Sequence, residues 1–284
     1  MRTNDLCRFI TEREKIRERK EAGLTRAKWT NDEILGTYRF CNVRRNDDRV
    51  TKWIHENWLY SYGQEPWEEH AEDTWFAMVV ARFFNLPSTL GAIEKTVLPF
   101  QPAQMARILG RLGKVFNGAY IVSTNGISMD KCQYVIERVL KPMWKDRARL
   151  RPQPGDTLDA WHMTLRQYQG MGSFMAAQVV ADMKYVEPLR SAADWAWWAA
   201  SGPGSRRGLG RVMFADVDHH YSETHWRSDF AMLWQAVNKK LNWSESLTGQ
   251  DLQNCLCEFD KYERARLGEG RPKQIYKQGE VTCG

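Results

Sequence analysis

Apolar residues recur along most of the chain with the spacing of an α-helix rather than that of a strand. The run TWFAMVVARFFN at residues 74–85 is apolar enough for a buried helix, and Pro87 follows its end. Similar helical patterns cover residues 4–22, 102–116, 132–144, 157–168, 229–241 and 251–267. One short run, AYIVSTNG at residues 119–126, has a β-like pattern. The chain as a whole is therefore predicted to adopt an all-α fold.

Glycine and serine interrupt the helical pattern at residues 200–211, which read ASGPGSRRGLGR. This composition is typical of a loop, here one that carries three arginines. The sequence shows no internal repeat and no low-complexity linker. We predict one helical body over residues 1–272, of one or two lobes, and an extended tail at residues 273–284.

Composition and charge point to a globular protein with a basic surface. The net charge of +6 suits an anionic partner such as nucleic acid, although many basic proteins bind none. Six cysteines without a CxxC pair predict reduced thiols, with neither a disulfide framework nor a zinc site. The charged N-terminal segment and the lack of a long apolar stretch predict no secretory signal and no membrane partner. We expect a cytoplasmic protein, in the host cell if a phage encodes it.

Two glycines one residue apart stand out in LRQYQGMGSFMAAQVVADM, at residues 165–183. One glycine suffices to end a helix, whereas Gly170 and Gly172 suggest that something approaches the backbone closely. The backbone N–H groups of such a turn and of the next helix can bind a phosphate. The sequence therefore predicts a helix-hairpin-helix at residues 158–183, with DNA bound at Gly170, Gly172 and Ser173.

The segment GMGSFMAAQVV resembles the helix-hairpin-helix of the DNA glycosylase superfamily, whose usual form is LPGVG before an alanine-rich helix. That superfamily has an essential aspartate some twenty residues later, and Asp194 lies at about that distance. The lysine of strand-cleaving members has no counterpart, because Ser173 and Phe174 occupy the positions after the second glycine. The alternative is an ordinary helix-helix turn, with Asp194 as a cap on the next helix.

Four further stretches, at residues 38–54, 118–140, 193–212 and 252–272, resemble a more particular family. It is the phage thymine-hypermodification helical family, known as α-glutamyl/putrescinyl thymine pyrophosphorylases or amino acid:DNA transferases. The same family includes the helical domain attached to 5-hydroxymethyluracil DNA kinases. With the hairpin, the resemblance covers roughly residues 5–272.

The resemblance implies chemistry on a modified base in double-stranded DNA. An amine from an amino acid or a polyamine would displace pyrophosphate from 5-pyrophosphoryloxymethyluracil. The chain has no G-x-x-x-x-G-K-[ST] motif, since GRLGKV at residues 110–115 has the wrong spacing. We therefore expect the transferase branch of the family rather than an ATP-dependent kinase.

Candidate catalytic groups for this reaction are carboxylates, because the incoming ammonium must lose a proton before it attacks. Asp194 is the first candidate, followed by Glu258 and Asp260. The leaving pyrophosphate needs cations around it. Arginines suit this role because a guanidinium can bind two oxygens at once. The candidate arginines are Arg206, Arg207, Arg44 and Arg45. The alternative for each is contact with DNA phosphates, and for Arg44 and Arg45 it is also an internal ion-pair network with Asp47 and Asp48.

Base recognition requires stacking surfaces and hydrogen-bonding groups. Trp195, Trp197 and Trp198 are candidates for stacking, with helix packing as the alternative. Asn125 and Asn254 lie in segments that resemble the family and are candidates to read a uracil edge, with turns or caps as the alternative.

No metal site is predicted from the sequence, since DVDHHYSETH at residues 216–225 has no ligand spacing typical of a metal centre. Magnesium held by pyrophosphate oxygens and a carboxylate is compatible with the chemistry. Two other functions stay open at this point. One is a non-catalytic DNA-binding subunit that partners a 5-hydroxymethyluracil DNA kinase, and the other is a monofunctional DNA glycosylase that uses Asp194.

Overall fold

A computed structural model of the protein describes residues 1–61, 68–118 and 120–276, with the backbone alone at positions 68 and 69. These residues form helices joined by turns, and no strand is found among them. The predicted all-α fold is confirmed. No helix of the described ranges combines the length and the apolar character that a membrane span requires.

The α-helices, in chain order, are α1 (Thr3–Glu21), α2 (Glu33–Thr37), α3 (Arg49–Ile54), α4 (Thr74–Phe84), α5 (Pro87–Ile93), α6 (Pro102–Leu109), α7 (Lys131–Tyr134), α8 (Lys141–Lys145), α9 (Arg147–Leu150), α10 (Leu158–Leu165), α11 (Ser173–Met183), α12 (Pro203–Met213), α13 (Glu223–Leu241) and α14 (Gly249–Arg266). Two π-helical segments are His55–Leu59, after α3, and Val135–Leu140, between α7 and α8. Short 3-10 helices are Arg26–Lys28, Arg45–Asp47, Glu68–Asp73, Glu94–Thr96 and Leu189–Ser191.

The chain divides into two compact units. One consists of Met1–Asp48 together with Ser201–Gly284 and is called the split unit here. The other, Arg49–Ala200, is continuous in sequence and is called the inserted unit. The single body expected over residues 1–272 stays a prediction.

The inserted unit is built around α4, and every residue of this helix is buried. The apolar run that predicted a buried helix at residues 74–85 is thus confirmed. Asn85 ends the helix in the left-handed conformation, and Pro87 begins the next one. Helix α11 packs against α4 and contributes Val179 and Val180 to the same core. The hairpin segment therefore shares the central core of its unit.

A buried ion pair fixes α11 to α4. The Arg82 guanidinium donates to both carboxylate oxygens of Asp182, at 2.6 and 2.5 Å. His55 lies 3.0 Å from the same carboxylate through Nε2. Arg82 also donates to Asn85 and Thr51, at 3.1 and 3.2 Å. These hydrogen bonds give both charges partners within the protein, as a buried pair requires.

In the split unit, the glycine-rich segment predicted as a loop is helix α12, so that prediction is wrong. The glycines allow α12 to lie very close to α14. A Cβ atom on Gly208 would lie 2.2 Å from the carbonyl oxygen of Leu256, and one on Gly204 would lie 3.2 Å from Cys257 Sγ. Glycine lowers helix propensity, but here the close contact between the two helices outweighs that cost.

The β-like run is also not a strand, so that prediction is wrong too. Residues 120–126 form an irregular segment and a turn, in which Asn125 and Gly126 have positive φ values of 51° and 80°. Ala119 lies outside the described residues. Tyr120 packs edge-on against Phe174, at 5.1 Å between ring centroids, and Val122 is buried. Tyr120 and Val122 thus pack inward while Ile121 between them is exposed, and no neighbouring strand is present in the described residues to pair with this backbone.

The start of the tail is attached to the split unit. Ile275 forms an isolated antiparallel bridge with Tyr38, and Tyr276 N donates to Thr37 O at 3.1 Å. The Tyr276 ring packs against Trp29 at 5.4 Å and is buried. Residues 277–284, which belong to the predicted extended tail, lie outside the described residues.

We predict that Gly208→Ala lowers the free energy of unfolding by about 2–3 kcal/mol, the usual cost of an overpacked helix contact. The added methyl group would meet a backbone oxygen that cannot move without shifting α14. Gly91→Ala is the matched control, because Gly91 also lies in a helix but its Cβ would meet no atom within 4 Å. Urea unfolding followed by circular dichroism measures both. Equal effects of the two substitutions would contradict the proposed contact.

Candidate functional site

The hairpin segment consists of α10, the turn at residues 166–172 and α11. The turn is closed by a hydrogen bond from Met171 N to Tyr168 O at 3.0 Å, and the Met171 side chain is buried. His162 Nε2 lies 3.0 Å from the Ser173 carbonyl, which can only accept, so this nitrogen donates. The first turn of α11 is therefore held against α10 by internal contacts.

The two glycines of the turn have different structural roles. Gly170 has φ +82°, and a Cβ there would lie 2.7 Å from Val139 Cγ2. The fold itself thus explains Gly170. Gly172 has an ordinary φ of −63°, and its Cβ would meet no protein atom within 4 Å. Only Gly172 leaves open space beside the backbone, as close approach of a phosphate would require.

Helix α11 begins without a side-chain cap, since Gly172 is the residue before its first turn. The first-turn N–H groups, from Ser173 onward, have no partner in the helix itself. They carry the partial positive charge of the helix N-terminus and favour an anion. Arg149 and Arg166 are exposed, and Arg149 donates to Tyr168 of the turn at 2.7 Å. The surface of the turn is accordingly suited to a phosphate backbone.

Asp194 caps α10. Its Oδ1 accepts from Leu158 N at 2.8 Å and its Oδ2 accepts from Asp159 N at 3.0 Å. The side chain is 3% exposed. Both oxygens are therefore occupied by backbone donors. Asp194 is a helix cap, but of the helix before the hairpin turn and not of the next helix, as the alternative to catalysis had it.

The three tryptophans after Asp194 are not equivalent. Trp198 is buried and donates to Asp159 Oδ1 at 3.1 Å. Trp195 donates to the Lys184 carbonyl at 2.5 Å and is half-buried. Trp197 is 43% exposed, so it is the tryptophan of the three that offers a ring to a ligand.

The irregular segment 120–126 lies beside the hairpin, which the sequence did not reveal. Tyr120 OH donates to Gln178 Oε1 of α11 at 2.8 Å. Asn125 Nδ2 donates to Tyr134 OH at 2.8 Å, and this hydroxyl lies near Gly170. Ile121 is 86% exposed and Phe174 is 56% exposed. The Asn125 amide thus has an internal partner, and two apolar side chains face solvent beside the hairpin.

In the split unit, Asp260 is surrounded by three arginines. Its Oδ1 accepts from Arg211 Nε at 2.9 Å, and its Oδ2 lies 3.4 Å from Arg207 Nε and 3.3 Å from Arg264 Nε. Arg211 also pairs with Glu269. Three cations against two carboxylates leave one excess positive charge. We call Arg207, Arg211, Arg264 and Asp260 the arginine cluster.

Two members of the arginine cluster have unused donors. The Arg207 and Arg264 side chains are 42% and 35% exposed, and their Nε atoms are buried without a hydrogen bond among the described residues. Neither guanidinium has a hydrogen-bond partner elsewhere in the described ranges of the chain. The cluster can therefore accommodate an added anion. Arg264 was missed at the sequence level because its spacing to Arg207 has no periodic signal.

Glu258 lies in a different environment, although it is close to Asp260 in sequence. Its Oε2 accepts from Cys41 N at 3.2 Å and its Oε1 accepts from Lys261 Nζ at 2.6 Å. Burial opposes the charge of Lys261, but Glu258 outweighs it and the pKa of Lys261 is raised. Burial, with the nearby Glu258 carboxylate, raises the pKa of Cys257 to about 12. This thiol is therefore protonated at neutral pH and is a poor nucleophile.

Arg206 and Arg44 contact groups of the split unit itself. Arg206 donates to Ser201 Oγ at 3.0 Å and to Glu223 Oε2 at 2.5 Å. Arg44 donates to the Glu245 carbonyl at 2.6 Å. Both guanidinium groups thus have partners within the split unit, and those of Arg44 are not the Asp47 and Asp48 carboxylates that the sequence suggested.

Arg45 and Asn254 also take part in local structure. The backbone N–H of Arg45 donates to Asp251 Oδ1 at 2.9 Å. Asn254 Nδ2 donates to the Asn42 carbonyl at 3.2 Å. Both residues thus connect the segment after α2 to α14.

A family model described as the helical domain of 5-hmdU DNA kinase matches residues 1–271. The chain belongs to this family. No curated protein and no solved structure matches the chain. The match includes both compact units, so the helical-domain family spans the split unit as well as the inserted one.

The predicted site residues of this family member divide between the units. The inserted unit contains Asn125, Gly170, Gly172, Ser173, Asp194, Trp195, Trp197 and Trp198, and the split unit contains Arg44, Arg45, Arg206, Arg207, Asn254, Glu258 and Asp260. Among the residues that the structure describes, no group of three or more His, Cys, Asp or Glu side chains could hold a metal ion.

We predict that Asp194→Asn lowers the free energy of unfolding by about 1–3 kcal/mol, because the amide turns one acceptor into a donor that faces a backbone N–H. The control is Asp130→Asn. Asp130 caps α7 through Oδ1 alone, which asparagine reproduces, so its stability should change by less than about 0.5 kcal/mol. Thermal unfolding of both variants measures the difference. A fully stable Asp194→Asn protein would rule out the two-oxygen cap.

Proposed function

We propose that the protein is a DNA base hypermodification transferase. It displaces pyrophosphate from 5-pyrophosphoryloxymethyluracil in phage DNA with the amine of an amino acid or a polyamine. The observation that carries the proposal is the family match: residues 1–271 match the helical domain of 5-hmdU DNA kinase. The exposed donors of the hairpin and of the arginine cluster support it.

DNA is proposed to bind to the inserted unit at the hairpin. Gly172 leaves room for a phosphate beside the uncapped first turn of α11. The exposed Arg149 and Arg166 supply positive charge next to the turn. Contacts of this kind position a duplex without reading its sequence, so we expect binding that depends strongly on salt.

The target base is proposed to leave the stack, at a cost of a few kcal/mol in unstacking. Ile121 and Phe174, which are exposed beside the hairpin, are suited to fill the space that the base leaves. Trp197 is suited to stack on a base, a contact worth about 1–3 kcal/mol. Trp195 and Trp198 would support Trp197 through their internal hydrogen bonds.

The leaving pyrophosphate is assigned to the arginine cluster. Asp260 holds the inner ends of Arg207 and Arg264, and their outer ends remain exposed to a ligand. Developing negative charge on the leaving group would be stabilised by donors that are already oriented. Arg206, whose guanidinium contacts Ser201 and Glu223, would have a supporting role.

In the proposed reaction, the bond between the exocyclic carbon and the pyrophosphate oxygen breaks, and its electron pair leaves with pyrophosphate. A bond from the amine nitrogen to that carbon forms, and one proton passes from the ammonium to a base. Asp194 is occupied as a cap, and Asp260 is committed to three guanidinium groups. Glu258 is also buried and accepts through both oxygens, from Cys41 N and from Lys261 Nζ. It is the proposed base because Lys261, whose side chain is 42% exposed, is a donor that can leave without breaking a helix cap.

The test incubates the protein with DNA that contains pyrophosphorylated hydroxymethyluracil and a mixture of amino acids and polyamines. Nucleoside mass spectrometry should detect a new base that carries one amine. Arg207→Gln combined with Arg264→Gln should reduce the rate by about 10²-fold or more, the usual effect of losing oriented charge stabilisation. Arg227→Gln, an exposed arginine of α13, is the control. An unchanged rate in the double variant would remove the arginine cluster from the reaction.

A second candidate is a non-catalytic subunit that presents DNA to a kinase. The family description supports it, because it names one domain of a kinase. This alternative predicts no product with any amine, intact DNA binding, and faster phosphorylation of hydroxymethyluracil DNA when a kinase of the family is added. The same mass spectrometry assay separates the two candidates.

We predict that Gly172→Val weakens DNA binding by about tenfold or more for all sequences, because the side chain occupies the space for a phosphate. The protein should remain folded, since the Cβ meets no protein atom within 4 Å. Gly113→Val is the matched control, as Gly113 is also open to solvent and has no positive φ. Fluorescence anisotropy at several salt concentrations measures the affinities. Equal affinity of both variants would count against the hairpin as a phosphate site.

A further inference from the structure

The split unit contains a cavity of about 580 Å³ that no predicted site residue lines. It is formed by one face of α1, by α14, and by the segment that leads into α2. The lining residues that matter here are Phe9, Phe259 and Tyr262, the acidic Asp32, and the basic Arg8 and Lys28. A volume of this size is typical of sites for small molecules, which range from about 300 to 1,000 Å³.

Aromatic rings form one wall of the cavity. Phe9 lies 5.5 Å from Phe259 and 5.0 Å from Tyr262 between ring centroids. Both phenylalanines are buried, so these rings are fixed by the core of the unit. Aromatic rings attract a cation placed over their faces, because the faces carry partial negative charge.

Asp32 supplies a fixed negative charge next to this wall. Its Oδ1 accepts from the N–H groups of Ile34 and Leu35, and its Oδ2 accepts from Tyr262 OH at 2.6 Å. In the described part of the chain, no cationic side chain lies within ion-pair distance of Asp32. Burial and the Asp32 carboxylate raise the pKa of Tyr262, so the phenol keeps its proton. The carboxylate is thus held in a fixed orientation, and no cation of the described residues pairs with it.

Positive charge is found at other positions of the lining. Arg8 is 80% exposed and makes one long contact, 3.5 Å to Asp5. Lys28 is exposed, and no ion pair is found for it among the residues that the structure describes. Arg19 is engaged with Glu12 and with the Trp29 carbonyl. Arg8 and Lys28 can therefore bind an anionic group at the edge of the cavity.

We infer that this cavity binds a small zwitterion, an amine that also carries a carboxylate, such as a free amino acid. The ammonium lies between Asp32 and the rings of Phe9 and Tyr262, and the carboxylate is held by Arg8 or Lys28. The use of this ligand as the attacking amine rests on the proposed function. Its binding does not, because the cavity is complete within the split unit.

Isothermal titration calorimetry of the full chain without DNA tests the assignment. The probes are glycine, L-glutamate, N-acetyl-L-glutamate, putrescine and inorganic phosphate. We expect at least one free amino acid to bind with a Kd below about 1 mM, a common level for small substrates. N-acetylation, which removes the ammonium charge, should abolish binding of the glutamate probe if glutamate is that ligand.

Asp32→Asn separates charge from structure, because asparagine also caps helices well and keeps an acceptor for the N–H groups of α2. We expect its Kd for the amino acid to rise about tenfold or more, as a charge-assisted contact becomes neutral. Asp130→Asn, the same change at a cap outside the cavity, should leave the Kd unchanged. Arg8→Gln should weaken amino acid binding as well.

Three results would overturn the inference: no binding by any amino acid, an unchanged Kd in Asp32→Asn, or putrescine or phosphate binding more tightly than every amino acid. The outcome is independent of the transferase assay. Amino acid binding without base modification would remove the proposed function and leave the cavity assignment standing. Base modification by a protein that binds no free amino acid would do the reverse.

Discussion

The ion pair between Arg82 and Asp182 determines where the hairpin lies in the inserted unit. Burying two charges is costly, and the cost is recovered only when every donor and acceptor is satisfied. Here His55, Thr51 and Asn85 complete the set, so α3, the π-helical segment, α4 and α11 meet at one point. Because Asp182 lies near the end of α11, the start of that helix has a defined position relative to the core. The turn before α11 therefore has a defined position in the inserted unit.

The hydrophobic pattern correctly predicted helices that bury one face or their whole surface. The run at residues 74–85 became α4, and the glycine turn was expected between two helices. The pattern failed at α12, since glycine signals a loop unless a partner helix lies close enough to need it. Leu256 is the residue that makes Gly208 necessary, and no local signal connects them. The strand expected at residues 119–126 failed for a related reason, as pairing also depends on a distant partner.

The candidate site was predicted by residue type and resemblance, and geometry separates its members. Glu258 and Asp260 are two positions apart on α14, yet one faces Lys261 and the other faces three arginines. Charge alone could not distinguish Arg207 from Arg206. Arg206 pairs with Glu223, whereas Arg207, the next residue of α12, lies beside Asp260. Contacts between residues far apart in sequence, such as that of Glu258 with Cys41, have no periodic signature. The sequence alone predicts the chemistry that each side chain can offer, but not which partners it contacts.

The division of the split unit between the two ends of the described chain has a consequence for synthesis. Leu6, Phe9 and Ile10 of α1 are buried partly by α13 and α14, for example where Phe9 contacts Phe259. On the ribosome, residues 49–200 must be made before these partners exist, which takes roughly 8 to 30 seconds at about 5–20 residues per second. When that interval ends the inserted unit has all of its residues, whereas α1 still lacks α13 and α14 and exposes an apolar face. The inserted unit is thus complete before the split unit, which needs the residues after 200. Until those residues are made, the apolar face of α1 is accessible to chaperones.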